Sequence, residues 1–168
     1  MVLLRRHSRR ESHECRGCGG DDDDTYVLER VQGVSFRNLE LIDSVDAEMD
    51  SVFFAGTLLN ETFTIDKDFF VDVDFVYTGI EIFGVDGREG NDTFNIISYE
   101  GDLTILGGLG DDVFNFSSDG AGLLGDLTGF TTTNISVDGG EGNNRLNVSN
   151  YAGVDGLDVD VRNDFIEG

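Results

Sequence analysis

Glycine and aspartate recur at a fixed spacing in four windows of this chain, and together they offer the oxygen atoms that bind hard metal ions. Each window fits a nine-residue pattern, G-G-x-G-x-D-x-U-x, in which U is a large apolar residue. The windows span residues 19–27, 87–95, 107–115 and 139–147. The third, G-G-L-G-D-D-V-F-N, has every fixed residue, and the others depart from the pattern at one position each. Those departures are Asp22, Arg88 and Asn144.

The pattern has a simple chemical logic. Glycines allow a tight turn with positive φ, which exposes main-chain carbonyl oxygens. The aspartate adds a carboxylate oxygen, and the apolar residue two positions later begins a strand that points inward. Carbonyl and carboxylate oxygens are the ligands that Ca²⁺ prefers. The windows therefore predict calcium-binding turns.

The pattern resembles the RTX, or haemolysin-type, calcium-binding repeat. That resemblance implies calcium held between stacked turns, with the aspartates at position six as ligands; here these are Asp92 and Asp112. It also implies main-chain carbonyl ligands from the same two turns. These carbonyls belong to Gly87, Glu89, Gly90, Gly107, Gly108 and Gly110.

Three further acidic or amide side chains are candidate ligands. Asp111 precedes Asp112 and could assist it or face solvent. Asp24 occupies position six of the first window, and Asn144 offers a neutral oxygen in the fourth, where we expect weaker binding. The family repeats its nonapeptide in tandem, whereas these windows begin at 19, 87, 107 and 139. The same turns could therefore also belong to a scaffold that binds no metal.

Positioning such turns requires many short strands, and the composition favours them. The 168 residues include 23 glycines, 13 phenylalanines and no proline or tryptophan. Alternating stretches such as V-D-V-D-F at 71–75 and L-D-V-D-V at 157–161 place one face inward. The predicted strands are 25–29, 34–41, 52–57, 62–65, 69–76, 80–83, 93–97, 103–106, 113–116, 134–137, 145–148 and 157–161.

Internal repeats choose among all-β architectures. D-T-F-N-I at 92–96, D-V-F-N-F at 112–116 and N-R-L-N-V at 144–148 superpose, at steps of 20 and 32 residues. Such repeats indicate a stacked structure. We predict a right-handed parallel β-helix, or β-roll-like solenoid, of about seven coils, with an insertion at 120–129. The apolar residues at position eight should form a ladder inside it. They are Tyr26, Phe94, Phe114 and Leu146.

Charge divides the chain into a basic leader and an acidic body. Residues 1–18 carry five arginines and two acids, and the remaining 150 residues carry 6 basic and 32 acidic side chains, which gives −26 for the body and −23 overall. We predict a disordered leader at 1–18 and a solenoid domain at 19–168. The acidic body argues against nucleic-acid binding. No apolar run is long enough for membrane insertion, and residues 1–4 are too short for a signal-peptide core.

The residue inventory argues against catalysis. Both histidines and both cysteines (Cys15 and Cys18) lie in the leader, which excludes a Ser-His-Asp or Cys-His site in the body. A carboxylate-based polysaccharide-active enzyme is the less favoured alternative. The sequence instead predicts a non-enzymatic calcium-binding module of an extracellular or cell-surface structural or adhesive protein. Its partners would be calcium ions, and other domains or a surface glycan. The main alternative is a metal-independent β-helix scaffold.

Overall fold

The described residues of this protein form two β-sheets. A computed structural model describes residues 3–7, 24–29, 39–42, 49–67, 69–70, 75–78 and 80–153. Helix within these residues is confined to one 3-10 turn at Gly120–Gly122, and none of it is long and apolar enough to cross a membrane. The strands, in chain order, are β1 (Leu3–His7), β2 (Thr25–Glu29), β3 (Leu39–Ile42), β4 (Ser51–Ala55), β5 (Thr62–Asp66), β6 (Phe69–Phe70), β7 (Phe75–Thr78), β8 (Ile82–Asp86), β9 (Thr93–Ile96), β10 (Tyr99–Leu106), β11 (Val113–Phe116), β12 (Phe130–Asp138) and β13 (Arg145–Val148).

The chain supplies the two sheets alternately. One sheet has the order β1-β2-β4-β8-β10-β12 and the other β13-β11-β9-β5-β6-β7-β3. From β8 to β13 each strand lies in the opposite sheet from the strand before it. Neighbours within a sheet are mostly parallel, as in the pairing of β9 with β11 and of β8 with β10. The all-β class with parallel sheets is therefore confirmed.

Antiparallel pairs interrupt this regularity near the start of the chain. Strand β6 pairs antiparallel with both β5 and β7, so the single strand predicted over 69–76 is wrong: two strands lie there and run in opposite directions. Leu3–His7, inside the segment predicted as a disordered leader, forms β1 and pairs antiparallel with β2. The predicted strand at 157–161 lies outside the described residues.

Aromatic side chains form the centre of the core. Phe63, Phe94 and Phe114 stack across neighbouring strands with ring centroids 4.9 Å apart in both pairs. That distance equals the spacing between strands, so each ring follows its own backbone. Apolar residues of the opposite sheet pack against them in one buried cluster. The stack confirms Phe94 and Phe114 as ladder members and adds Phe63, which does not belong to any window.

The other two predicted ladder positions differ. Tyr26 is buried, but its strand belongs to the other sheet, where it pairs with Val52. Leu146 is in register with Phe114, yet its side chain is 45% exposed. The ladder of position-eight residues is therefore shorter than predicted at both ends.

Candidate metal centre

The windows at 87, 107 and 139 form three turns of matching conformation, side by side. Glu89 forms a parallel bridge to Leu109, which forms another to Glu141. In each turn the second and fourth residues have positive φ: Arg88 (74°) and Gly90 (121°); Gly108 (102°) and Gly110 (135°); Gly140 (72°) and Gly142 (118°). A Cβ on Gly108 would lie 2.0 Å from the Arg88 carbonyl oxygen. Close turn-to-turn packing therefore requires glycine there.

A row of four side chains precedes strands of the second sheet, and three of the four directly follow these turns. We call Glu61, Asp92, Asp112 and Asn144 the turn row. Each amide N–H donates to a side-chain oxygen of the next member: Glu61 to Asp92 Oδ1 at 2.7 Å, Asp92 to Asp112 Oδ1 at 2.8 Å, and Asp112 to Asn144 Oδ1 at 2.9 Å. The structure thus brings Asp92 and Asp112 to the same edge, as the sequence predicts.

The second carboxylate oxygen of both aspartates is buried without a partner. Asp92 is 1% exposed and Asp112 is fully buried, and neither Oδ2 has a hydrogen-bond partner. A buried acceptor left unsatisfied costs about 1–3 kcal/mol, and more when it is charged. Burial is the main cause that raises the pKa of Asp92 from 3.8 to about 7, against the lowering effect of the Glu61 amide. Burial also raises the pKa of Asp112. Both oxygens would be stabilised by a proton or a cation.

A main-chain carbonyl of the following turn faces each of these oxygens. A Cβ built on Gly87 would lie 2.4 Å from Asp92 Oδ2 and 2.6 Å from the Gly107 carbonyl oxygen. On Gly107 it would lie 2.3 Å from Asp112 Oδ2 and 2.6 Å from the Gly139 carbonyl oxygen. Each carboxylate–carbonyl pair is therefore at most about 5 Å apart, which one Ca²⁺ with ligands at about 2.3–2.6 Å can bridge. Each place thus offers one carboxylate and one carbonyl oxygen, both of which are ligand types that calcium accepts.

Gly139 is a candidate ligand that the sequence analysis missed. The predicted carbonyl ligands belong only to the 87 and 107 turns, although Gly139 occupies the first position of the next window. That position was the available signal, because the following turn supplies the carbonyl in the earlier pair as well. Among the predicted carbonyls, Gly108 O already accepts the Glu141 amide. A second lone pair remains on that oxygen.

Two predicted ligands, Asp111 and Glu89, are exposed and lie outside the turn row. Asp111 is exposed, and its Oδ1 accepts the Asn143 amide at 2.8 Å, while its own amide donates to Asn91 Oδ1 at 3.0 Å. It belongs to a separate surface column. Glu89 is also exposed and takes part in the turn-to-turn bridge through its main chain.

Asp24 lies in a different row. Its strand, β2, belongs to the first sheet, whereas Asp92 and Asp112 precede strands of the second. The Asp24 amide donates to Asp50 Oδ1 at 2.8 Å, and the Asp50 amide to Glu81 Oε2 at 2.9 Å. The nonapeptide pattern missed this second row. An acid with apolar residues two and four positions later was the signal, present in D-T-Y-V-L, D-S-V-F-F and E-I-F-G-V.

Within the described part of the chain, no three His, Cys, Asp or Glu side chains form a cluster that could hold a metal ion. A cation at the turn row would thus depend on main-chain carbonyls for most of its ligands.

Comparison with known proteins adds no relative. No protein-family model, curated protein or solved structure matches this chain. The argument for a site rests on the geometry of these turns.

Proposed function

We propose that this chain is a calcium-binding repeat module of the RTX-like kind, in which Ca²⁺ lies between stacked glycine and aspartate turns. The observation that carries the proposal is the pair of buried, unpartnered carboxylate oxygens, Asp92 Oδ2 and Asp112 Oδ2. Each faces the first glycine carbonyl of the following turn. Two oxygens that approach each other in a buried place repel unless a proton or a cation lies with them.

Calcium suits this donor set better than magnesium. Ca²⁺ accepts six to eight oxygen ligands in flexible geometry, and main-chain carbonyls are among its common ligands. Mg²⁺ requires near-octahedral geometry at about 2.0–2.1 Å and tends to keep several waters. The body's charge of −26 favours the binding of any divalent cation, because divalent cations relieve its self-repulsion.

The alternating supply of strands to two sheets supports a finer architecture. We place the chain in a right-handed parallel β-helix or β-roll-like solenoid of about seven coils. Each coil would contribute one strand to each sheet, as β8 with β9 and β10 with β11 do. In this proposal the module is non-enzymatic and belongs to a secreted or cell-surface structural or adhesive protein. It would adjoin other domains or a surface glycan, and calcium would make it rigid.

The alternative is a metal-independent scaffold, and one specific observation favours it. With its pKa at about 7, Asp92 can take a proton instead of a cation near neutral pH. A proton would satisfy Oδ2 without any metal. The two functions differ in whether calcium stabilises the fold.

Calcium titration of the full chain separates them. We expect calcium, and much less magnesium, to raise the melting temperature, with half-saturation at about 10⁻⁴–10⁻³ M as in extracellular modules. Asp112→Asn should reduce this response. The matched control is Asp111→Asn, which removes the same charge one residue away at an exposed position. A melting temperature indifferent to calcium and chelator would establish the scaffold instead.

A further inference from the structure

Asn144 occupies the last place of the turn row, and the orientation of its amide is determined by its neighbours. Its Oδ1 accepts the Asp112 amide at 2.9 Å, and only an oxygen can accept there. The Nδ2 group is therefore directed into its own turn, where it donates to the Gly140 carbonyl oxygen at 3.2 Å.

This nitrogen lies where the two aspartates have their unpartnered oxygens. A Cβ on Gly139 would lie 2.7 Å from Asn144 Nδ2. The equivalent distances are 2.4 Å for Gly87 to Asp92 Oδ2 and 2.3 Å for Gly107 to Asp112 Oδ2. A carboxylate oxygen cannot donate a hydrogen bond, whereas the amide nitrogen can. The fourth turn thus satisfies its carbonyl without a cation.

The other end of the row is satisfied from within as well. Glu61 is one bond longer than aspartate, and its Oε2 accepts the Thr57 amide of its own turn at 2.5 Å. Both end members therefore have partners inside their turns, and both middle members have a buried oxygen without one. A glycine carbonyl also lies near Glu61, since a Cβ on Gly56 would lie 2.6 Å from Glu61 Oε2 and 2.9 Å from the Gly87 carbonyl oxygen, but there the carboxylate oxygen already has the Thr57 amide as its donor.

We infer that the turn row holds two positions for a divalent, oxygen-seeking cation, at Asp92 and Asp112, and that Asn144 ends the row by replacing the cation with an amide. This inference rests on the proposed function for the identity of the cation. It has a consequence of its own for the protein without metal. An amide at position 92 or 112 would fill the role of the ion, so Asp→Asn there should stabilise the calcium-free fold.

The experiment uses the full chain as wild type, Asp92→Asn, Asp112→Asn, the double variant and the control Glu141→Gln, which removes one charge at an exposed side chain. Thermal unfolding is recorded in chelator and in saturating calcium, and bound calcium is counted by equilibrium dialysis with metal analysis. We expect each single variant to bind one calcium fewer than the wild type, and the double variant two fewer. In chelator each should melt at a higher temperature than the wild type, while Glu141→Gln should bind the wild-type number of calcium ions and show no such rise.

The reciprocal variant is Asn144→Asp, with Asn60→Asp as its charge-matched, exposed control, in which the oxygen that accepts the Asn91 amide is kept. Asn144→Asp should melt lower than that control in chelator, because it replaces the donor to the Gly140 carbonyl with a carboxylate oxygen, and it should bind no additional calcium. Unchanged or lower melting temperatures for Asp92→Asn and Asp112→Asn in chelator would overturn the inference. A wild type that binds no calcium would overturn the proposed function, and the comparison in chelator would still decide whether the amide replaces an ion.

Discussion

Asp112 Oδ1 accepts the backbone amide proton of Asp92 at 2.8 Å, across 20 residues of sequence. The same carboxylate thus fixes the position of the neighbouring turn through one oxygen and keeps the other oxygen buried and unpartnered. Binding and folding are coupled at this side chain. Whatever satisfies Oδ2 also stabilises the contact between two turns.

Stability without metal should decrease as pH rises. The pKa of Asp92 is raised from 3.8 to about 7, chiefly by burial, and that of Asp112 is raised as well. Between pH 4 and 7 the folded protein therefore binds more protons than the unfolded chain, so the free energy of unfolding decreases with increasing pH. We expect the melting temperature in chelator to decrease across this window. In calcium the decrease should be smaller, because the cation replaces the proton.

The Asp92→Asn variant isolates this effect from other groups. Asp119 and Asp126 have lowered pKa values, owing mainly to hydrogen bonds from Ser117 and Thr128, and stabilise the fold in the opposite direction as pH rises. Those contributions cancel in the difference between wild type and variant. Identical pH profiles for the two proteins would show that Asp92 does not titrate in this window.

Gly107→Ala should destabilise the fold and abolish binding at the Asp112 position. The added methyl carbon would lie 2.3 Å from Asp112 Oδ2 and 2.6 Å from the Gly139 carbonyl oxygen, and the latter is main chain that cannot turn aside. Overpacking of this kind costs about 1–3 kcal/mol. Urea denaturation in chelator and calcium measures both effects. Gly122→Ala is the control, since the three atoms nearest to its methyl would belong to the side chain of exposed Asp119 and not to main chain.

Asn115→Ala should cost about 1–3 kcal/mol of unfolding free energy, because it leaves two buried or half-buried amides without a partner. Asn115 is 4% exposed; its Nδ2 donates to Asn95 Oδ1 at 3.0 Å, and its Oδ1 accepts from Asn147 Nδ2 at 2.8 Å. In Asn134→Ala the lost bond to Asp102 lies at the surface. The urea midpoints of the two variants should differ clearly. Equal midpoints would contradict a structural role for the hydrogen-bonded amides of Asn95, Asn115 and Asn147.

Period-two alternation and the repeated turns were enough to predict the class, the parallel pairing of the later strands and the adjacency of Asp92 and Asp112. They did not predict β6 and β7, because F-F-V-D-V-D-F-V alternates as one continuous strand and nothing in it marks a reversal. β1 was missed for a different reason. It contains Arg5 and Arg6 and is followed by Arg9 and Arg10, and composition alone reports charge without showing that β2 offers an edge to pair with.

The residues of the candidate site were likewise predicted only in part from the sequence. The spacing predicts the glycine and aspartate positions, because glycine is the residue that most readily adopts positive φ and the aspartate follows it at a fixed distance in the sequence. Glu61, Asp50 and Glu81 were beyond the pattern because no window covers them, and their alignment is recognised only once strand register is known. The amide of Asn144 was predicted as a weak ligand, whereas its oxygen is engaged by Asp112 and its nitrogen by Gly140.

Successive members of the turn row are 31, 20 and 32 residues apart, yet the connecting hydrogen bonds differ by only 0.2 Å, from 2.7 to 2.9 Å. The number of residues between two turns therefore does not alter the hydrogen-bond length between them. In the step from Asp112 to Asn144 the surplus residues form the segment between β11 and β12, which carries the 3-10 turn at Gly120–Gly122 and packs Leu127 into the core. An insertion at the exposed Leu124 of this segment should therefore lengthen the step while the row itself stays in register.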